Sequence, residues 1–357
     1  MLTVDLTAVQ ENYRLLARRA AVPLLPMVKG DAYGLGAVEV AECLEPHAPV
    51  AFGVASVREG EALRAAGITR AIVVFTPVPP SQFASAGAAA LTLALADPAH
   101  LRLWAGSGGR WQLPVDTGMQ RTGADWRDDA RIRDLLDAGG TPDGAFTHFH
   151  SADSDPSSMV IQEERFDRVI AAMPVRPASI HVENSAALLQ RGASRYDCAR
   201  PGIALYGVAV GPALWAPRAV LTLEAPVVEL RDVQPGDTVS YGATWRADGL
   251  RRIATVALGY ADGYPRGMAS GGATAVVNER QVPVVGLVTM DMTMCDVTDV
   301  PCELGDRVTL MGSHAALSVA SVATRAQRSP YEVLTGMQAR SIRCHVGNAP
   351  SVRSVAA

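Results

Sequence analysis

A (β/α)8 barrel followed by a mainly β second domain is the α/β architecture that this sequence predicts, and three observations carry the prediction. From about residue 9 to residue 207, short apolar or β-prone stretches alternate with segments of helical period. Eight such stretches occur, the number that closes a barrel of parallel strands. After about residue 215 the alternation stops, and strand-like segments follow one another with only turns between them. A chain of 357 residues, 48% hydrophobic and 19% charged, has the length and composition for two such domains, expected over residues 1–215 and 216–357.

The barrel strands are expected at PLLPMV from Pro23, VAFGVA from Val50, AIVVF from Ala71, ALTLAL from Ala90, WQLPV from Trp111, GAFTHF from Gly144, ASIHV from Ala178 and YDCAR from Tyr196. Between them VEVAECLE, REGEALRAAG, DARIRDLLDAG and SMVIQEERFDRVIAAM repeat apolar residues at helical spacing, with Gly, Pro and Asp as punctuation. A doubly wound sheet is the architectural alternative, disfavoured because no GxGxxG follows the first strand. In the second half LTLEAPVVEL, DTVSYGAT, RIATVAL, ATAVV, VPVVGLVT and RVTLM read as strands, with Asn278 to Arg280 as a hairpin connection. A helix at SVASVATRA and a final extended stretch complete the domain, and APR at 216–218 is the nearest thing to a linker.

Composition narrows the function classes. A formal charge of −4 argues against nucleic acid or an anionic membrane as the main partner, since both call for a basic surface. No run of eighteen apolar residues exists and the first residues enter an amphipathic pattern, so a cytoplasmic chain acting on a small molecule is expected. The five cysteines (Cys43, Cys198, Cys295, Cys302 and Cys344) are scattered, with no CxxC, and indicate neither a disulfide framework nor a metal site.

One compositional fact is sharper. All but one of the 32 basic side chains are arginine, and the exception is Lys29. A guanidinium keeps its proton at any workable pH, whereas a desolvated ammonium can lose one, attack a carbonyl and form an imine. Where a position needs amine chemistry, arginine cannot serve. Lys29 also closes the first predicted strand, at the barrel face where active sites are built, and is followed by glycines that let backbone approach a ligand. A lysine merely capping a strand at the solvent edge is the plainer reading of the same position.

The surrounding string, PMVKGDAYGLG, resembles the start of the barrel in the alanine racemase family of fold-type III pyridoxal-phosphate enzymes. The resemblance recurs in order at VDTGMQRTG (115–123), THFHSAD (147–153), HVENSA (181–186), ARPGIALYG (199–207), VSYGAT (239–244), GYADGYPR (259–266), VTMDM (288–292) and YEV (331–333). It implies pyridoxal 5'-phosphate as cofactor, bound to Lys29 as a Schiff base, and racemisation of alanine by two bases: Lys29 on one face of the α-carbon and Tyr260 on the other. Two groups allow a proton to leave one face and return to the other, which a single base would have to swing around to do. A phenol ionises near pH 10 and is a poor base unless its anion is stabilised. His148 resembles the family residue that touches this tyrosine, and Arg200 the one beyond it, facing the pyridine nitrogen. Because Arg200 keeps its proton, the ring would be a weaker electron sink than in most such enzymes.

The same resemblance places the phosphate against Ser185, Gly202 and Ile203, at the loops after the seventh and eighth strands, with the Tyr33 hydroxyl reaching it. Arg121, Met119, Met290 and Asp291 resemble residues near the substrate. A homodimer with shared sites and a role in supplying D-alanine for peptidoglycan follow from the family as well. Two departures stand out. A lysine that the family carbamylates, two residues before DTGM, is Pro114 here, and a gating tyrosine before the first arginine of RxxR is Ala339. Both bear on substrate range more than on reaction type, and a serine or broad-specificity racemase is the alternative. A cofactor-carrier protein would lack the β-domain, and a decarboxylase of this architecture would want a catalytic cysteine, for which only Cys344 is roughly placed.

Overall fold

The computed structural model describes residues 1–270, 272–338, 340 and 342–347. The chain starts on β1 (Leu2–Asp5) and turns at once into α1 (Leu6–Ala20), whose first turn is capped by the Asp5 carboxylate accepting from Ala8 N–H at 3.0 Å. Leu6, Val9, Tyr13, Leu16 and Ala20 recur at helical spacing and are buried, which is why this segment packs as an outer helix. After the single turn α2 (Lys29–Gly34) and α3 (Ala37–Leu44), the barrel proper runs β2 (Ala51–Val54), α4 (Val57–Ala65), β3 (Ala71–Val74), α5 (Phe83–Ala88), β4 (Thr92–Ala94), α6 (Pro98–Gly106), β5 (Trp111–Asp116), the short β6 (Ala124–Asp125) beside it, α7 (Asp129–Gly139), β7 (Gly144–Phe146), α8 (Ser157–Ala171), β8 (Ser179–His181) and α9 (Ser185–Arg191). The strands pair in parallel in the order β2-β3-β4-β5-β7-β8. Nearly every residue in them is buried, as expected where helices and a packed interior cover both faces.

The first and eighth predicted strands close the ring irregularly. They are single parallel bridges, Leu24 to Ala199 and Met27 to Gly53, supported by Leu25 N–H to Ala199 C=O and Val28 N–H to Gly53 C=O, both 2.8 Å. Pro23, Pro26 and Pro201 lie in these segments and have no N–H to give a ladder. The barrel is therefore complete in topology while its seam is held by a few bonds, and Lys29 follows directly on that seam.

The second domain is an antiparallel sheet around β9 (Leu221–Val233), a long strand that pairs along different parts of its length with β1, β12 (Arg251–Val256) and β16 (Arg307–Met311). The two-residue strands β10 (Thr238–Val239) and β11 (Trp245–Arg246) form a separate ribbon; β13 (Thr274–Val277) and β14 (Arg280–Pro283) make the hairpin expected at Asn278, and β15 (Thr293–Asp296) pairs with β12. Helices α10 (Val319–Ala326) and α11 (Pro330–Thr335) lead to the last strand, β17 (Arg343–Val346), which lies parallel to β1. Two expectations need correction. VPVVGLVT is strand only at its start: past Pro283 just Val284 forms a bridge, and Gly286 turns the chain at a φ of 65°. DTVSYGAT pairs only at Thr238–Val239 before Ser240 turns at a φ of 67°. The first strand, β1, also lies in this sheet between β9 and β17, although residues 1–215 read as barrel; its partners are more than two hundred residues away and leave no local trace.

Candidate active site

The C-terminal mouth of the barrel opens into a cavity of about 590 Å³, walled by the ends of the barrel strands and by Tyr331, Glu332 and Thr335 of α11. Lys29 stands where the first barrel segment ends. The chain then makes a left-handed turn, with φ of 63°, 55°, 51° and 58° at Gly30, Asp31, Ala32 and Tyr33. A left-handed residue other than glycine costs roughly 1–2 kcal/mol, and such strain persists only where the surroundings fix it. Here Gly30 N–H donates to Glu59 Oε1 at 2.8 Å, Asp31 Oδ1 accepts from Ala37 N–H at 2.8 Å, and the Tyr33 ring lies 5.0 Å from that of Tyr206. The turn brings Lys29 and Tyr33 into the wall of one cavity.

Glu59 is the third residue of α4 and closes a capping box with Ser56. Its other oxygen accepts from Ala55 and Ser56 N–H at 2.6 and 3.2 Å. Burial lowers the pKa of the Lys29 ammonium from its ordinary value; Arg121 lowers it further, Glu59 opposes, and Arg200 adds to the lowering. The consequence is a larger share of neutral amine, the form that attacks a carbonyl.

Arg200 is the most constrained cation of the site. It is buried, and its guanidinium donates to the carbonyls of His181 (2.6 Å), Thr147 (2.7 Å) and Val182 (3.2 Å) and to His181 Nδ1 (2.5 Å). Arginine can only donate, so His181 Nδ1 must accept, which leaves Nε2–H to donate to Gln112 Oε1 at 3.1 Å. Complete burial keeps His181 neutral, its pKa well below the ordinary value, with Arg200 adding to the effect. Burial also lowers Arg200, to about 10, and it remains a cation at neutral pH. His148 is half-buried by area because its open side faces the cavity, yet the protein around it still desolvates it; with Arg200, Arg121 and Lys29 nearby its pKa falls to about 3.

At the other end of the cavity Ser185 is the first residue of α9, after Asn184, whose side chain caps the helix by accepting from Ala187 N–H at 3.0 Å. Ser185 Oγ accepts from Gly202 and Ala204 N–H at 2.8 and 3.2 Å, drawing the two loops together, with Ile203 between them. A Cβ at Gly202 would overlap the Tyr33 hydroxyl, so a side chain there would have to displace that ring. Across the mouth Met119, Arg121 and Pro114 line the wall, and Asp116 shapes their loop by accepting from Gly118 and Arg121 N–H at 2.8 and 3.2 Å.

The structure thus gathers Lys29, Tyr33, Met119, Arg121, His148, Ser185, Arg200, Gly202 and Ile203 around one space. It does not bring Tyr260, Met290 or Asp291 there. Tyr260 begins a tight turn of the β-domain, held by its N–H to Thr289 C=O at 3.0 Å, and is 41% exposed; Met290 is 52% exposed, and Asp291 pairs with Arg340 at 2.5 Å. Ala339 lies outside the described residues. Sequence reasoning missed four polar residues, Glu59, Gln112, Thr147 and His181. Glu59 had a visible signal in the S-x-x-E spacing from Ser56, and His181 opened a string already singled out; Gln112 had none, because only the barrel's register turns it toward His181. Among the described residues no group of three His, Cys, Asp or Glu side chains is placed to hold a metal ion, and no helix is long and apolar enough to cross a membrane.

Comparison with known proteins bears on this geometry. The chain matches the family described as alanine racemase, N-terminal domain, over residues 4–210 and that described as alanine racemase, C-terminal domain, over residues 220–345. It is 38% identical to the alanine racemase of Methylobacterium sp. (strain 4-46), with 97% of each chain covered. Among solved structures it is similar to alanine racemase from Bacillus anthracis with bound L-Ala-P, at a TM-score of 0.87, 31% identity and coverage of 98% and 95% of the two chains. It is also similar to alanine racemase from Bartonella henselae with covalently bound pyridoxal phosphate, at a TM-score of 0.86, 28% identity and coverage of 97% and 99%.

Proposed function

Since the chain belongs to the alanine racemase family, we propose that it interconverts L- and D-alanine, holding pyridoxal 5'-phosphate through Lys29 and using Lys29 and Tyr260 as bases on opposite faces of the substrate. The observation that carries this reading is the position of the chain's only lysine, desolvated at the barrel mouth beside Tyr33, His148 and Arg200. The residues present fit the cofactor. Gly202 leaves no room for a side chain beside the Tyr33 hydroxyl, Ser185 draws two loops into a small cradle, and Arg200 is a buried cation with no carboxylate among its hydrogen-bond partners.

Lys29 would hold the group through its amine, Ser185, Tyr33 and the backbone at Gly202 and Ile203 would hold its phosphate, and Arg200 would face its ring nitrogen. When bound, pyridoxal phosphate draws electrons from the substrate α-carbon and makes the proton on that carbon removable. Arg200 keeps its own proton, so it orients without handing one over. His148, neutral because its pKa is pushed to about 3, can accept a hydrogen bond from a partner such as a phenol. Arg121 and Met119 would border the substrate from the barrel side, and Met290 and Asp291 from the β-domain.

The β-domain would supply the second base to a second copy of the chain. Tyr260 does not line the cavity of its own chain, and Tyr241, Met290 and Met292 stand exposed on the same domain, at 72%, 52% and 45%. A homodimer whose two-fold axis brings each Tyr260 face to the other cavity accounts for both facts. Supply of D-alanine for peptidoglycan in the cytoplasm is the role we assign to that activity.

The test is borohydride trapping of the enzyme with pyridoxal phosphate, followed by peptide mapping, alongside chiral analysis of L-alanine after incubation. The pyridoxyl label is expected on Lys29, with D-alanine formed, and Lys29→Ala is expected to lose both. A Lys29→Ala protein that still racemises alanine at the wild-type rate would overturn the reading.

A further inference from the structure

The arginines of the R-S-I-R string reach away from the cavity, and each ends on a carboxylate close to one of the two proposed bases. Arg343 begins β17, paired with Leu2 of β1, and its Nη1 donates to Asp31 Oδ2 at 2.5 Å and to Gly34 C=O at 3.0 Å. Asp31 is the second residue after Lys29 and sits in the left-handed turn, so with Ala37 N–H on its other oxygen the carboxylate is held from both sides. Two residues along the same strand, a His345 ring nitrogen lies 2.8 Å from Leu35 C=O. One strand of the β-domain thus grips the barrel turn that aims Lys29 and Tyr33.

Arg340 faces elsewhere. Its Nε donates to Asp262 Oδ1 at 2.9 Å, and its Nη2 to Asp262 Oδ2 at 3.4 Å and to Asp291 Oδ1 at 2.5 Å. Asp262 is the second residue after Tyr260 and caps that turn by accepting from Gly259 N–H at 2.9 Å. Asp291 follows Met290. A planar guanidinium spanning two carboxylates fixes the loops that carry them relative to each other, which a point charge would not. The side chains of Arg340 and Asp291 are half exposed, at 50% and 53%, where ion pairs add little to stability. Loop geometry, rather than fold stability, is what such a pair can control.

We propose that Arg343 and Arg340 are positioning residues with separate charges: Arg343 fixes the turn bearing Lys29 and Tyr33, and Arg340 fixes the loops bearing Tyr260 and Met290. This rests on the function proposed above. With shared sites, one short string then sets the geometry of the lysine in its own cavity and of the tyrosine delivered to the other.

The experiment compares Arg343→Gln, Arg340→Gln, the corresponding lysine variants and Asp31→Asn as holoenzymes. Three readouts are taken: release of pyridoxal phosphate on dilution, followed by its visible absorbance; the α-deuterium isotope effect with each alanine enantiomer; and the melting temperature. Arg343→Gln is expected to release cofactor on the order of tenfold faster, the scale of a lost charged hydrogen bond. Asp31→Asn should do the same, and the two together should not add. Arg340→Gln is expected to retain cofactor like the wild type and to raise the isotope effect for one enantiomer only, the one whose α-proton faces Tyr260. Arg343→Lys should recover part of its loss, and Arg340→Lys little, because one ammonium cannot span both carboxylates. Identical profiles for the two glutamine variants, or a lowered melting temperature with no change in either other readout, would overturn the proposal. Failure of the underlying function is distinguishable, because the wild type itself would then form no D-alanine and carry no label on Lys29.

Discussion

The barrel mouth and the β-domain face both carry residues singled out from the sequence, but they differ in how finished they are. At the mouth, Arg200 has all its bonds inside the chain, Ser185 is engaged by two backbone N–H groups, and Lys29 follows a seam held by hydrogen bonds to Gly53 and Ala199. On the face, Tyr260 and Met290 present much of their surface to solvent. In the proposed enzyme the difference teaches that one half of the site is preorganised by the fold and the other is only aimed by it. A cavity that must hold a charged group in fixed orientation needs the first kind of construction. A base proposed to arrive from another copy would need the second.

The sharpest way to break that comparison is complementation. Lys29→Ala and Tyr260→Phe should each lower racemase activity by on the order of 100- to 10,000-fold or more, the scale of a lost proton-transfer group. Under subunit exchange, half of the molecules become mixed dimers with one intact site of two. About a quarter of wild-type activity should therefore return if sites are shared. Exchange verified by mass, with no recovery, would show that Tyr260 serves its own chain and that the exposed face has another purpose.

What the sequence revealed follows the same division. The place of Lys29 in the cavity wall was legible because it is the chain's only lysine and closes a predicted strand, and helices such as α4, α7 and α8 because their apolar spacing is local. The partners of Arg200 were less legible. His181 and Gln112 meet across strands β8 and β5, sixty-nine residues apart, and only closure of the barrel brings them together. A turn of Gly30, Asp31 and Tyr33 after Lys29 was legible, but its left-handed course was not: Asp31, Ala32 and Tyr33 have no intrinsic preference strong enough to announce it, and Glu59, Ala37 and Arg343 hold it from elsewhere. The pairing of β1 with β9 and β17 was not legible, because four residues of alternating pattern do not say which sheet they will enter.

A smaller effect should appear with pH, and it belongs to the barrel mouth. His148 and His181 both have folded-state pKa values below the ordinary histidine value, the first at about 3. Above pH ~6.5 each is neutral whether folded or unfolded, and neither biases stability. Below it the unfolded chain takes up protons that the folded chain refuses, so stability falls as pH falls. The slope reaches about 1.4 kcal/mol per pH unit for each histidine and for His148 persists down to its folded value of about 3. Urea unfolding between pH 7 and 4 should show this decline, and His148→Gln should flatten part of it. A variant with the wild-type slope would mean that His148 is solvated well enough to titrate freely.

The smallest expected effect is a null, and it concerns the wall facing Lys29. In the family this sequence resembles, a carbamylated lysine two residues before DTGM supplies negative charge beside the arginine of that loop. Here Pro114 occupies the position and lines the cavity. A proline in a chain has no amine to carbamylate, and Lys29, the only side-chain amine, is committed to the cofactor in the proposed enzyme. The loop is shaped instead by Asp116, which is buried and whose Oδ2 accepts from the backbone N–H of Arg121 at 3.2 Å. That side chain is part of the fold, and its place in the loop does not depend on dissolved carbon dioxide. Activity should therefore be the same in bicarbonate-free buffer and after bicarbonate is restored at fixed pH. Reversible activation by bicarbonate, with Lys29 shown by trapping to remain loaded with cofactor, would mean that Arg121 depends on an anion that binds from solution, and the barrel mouth would then be less complete within one chain than the contrast with the β-domain face requires.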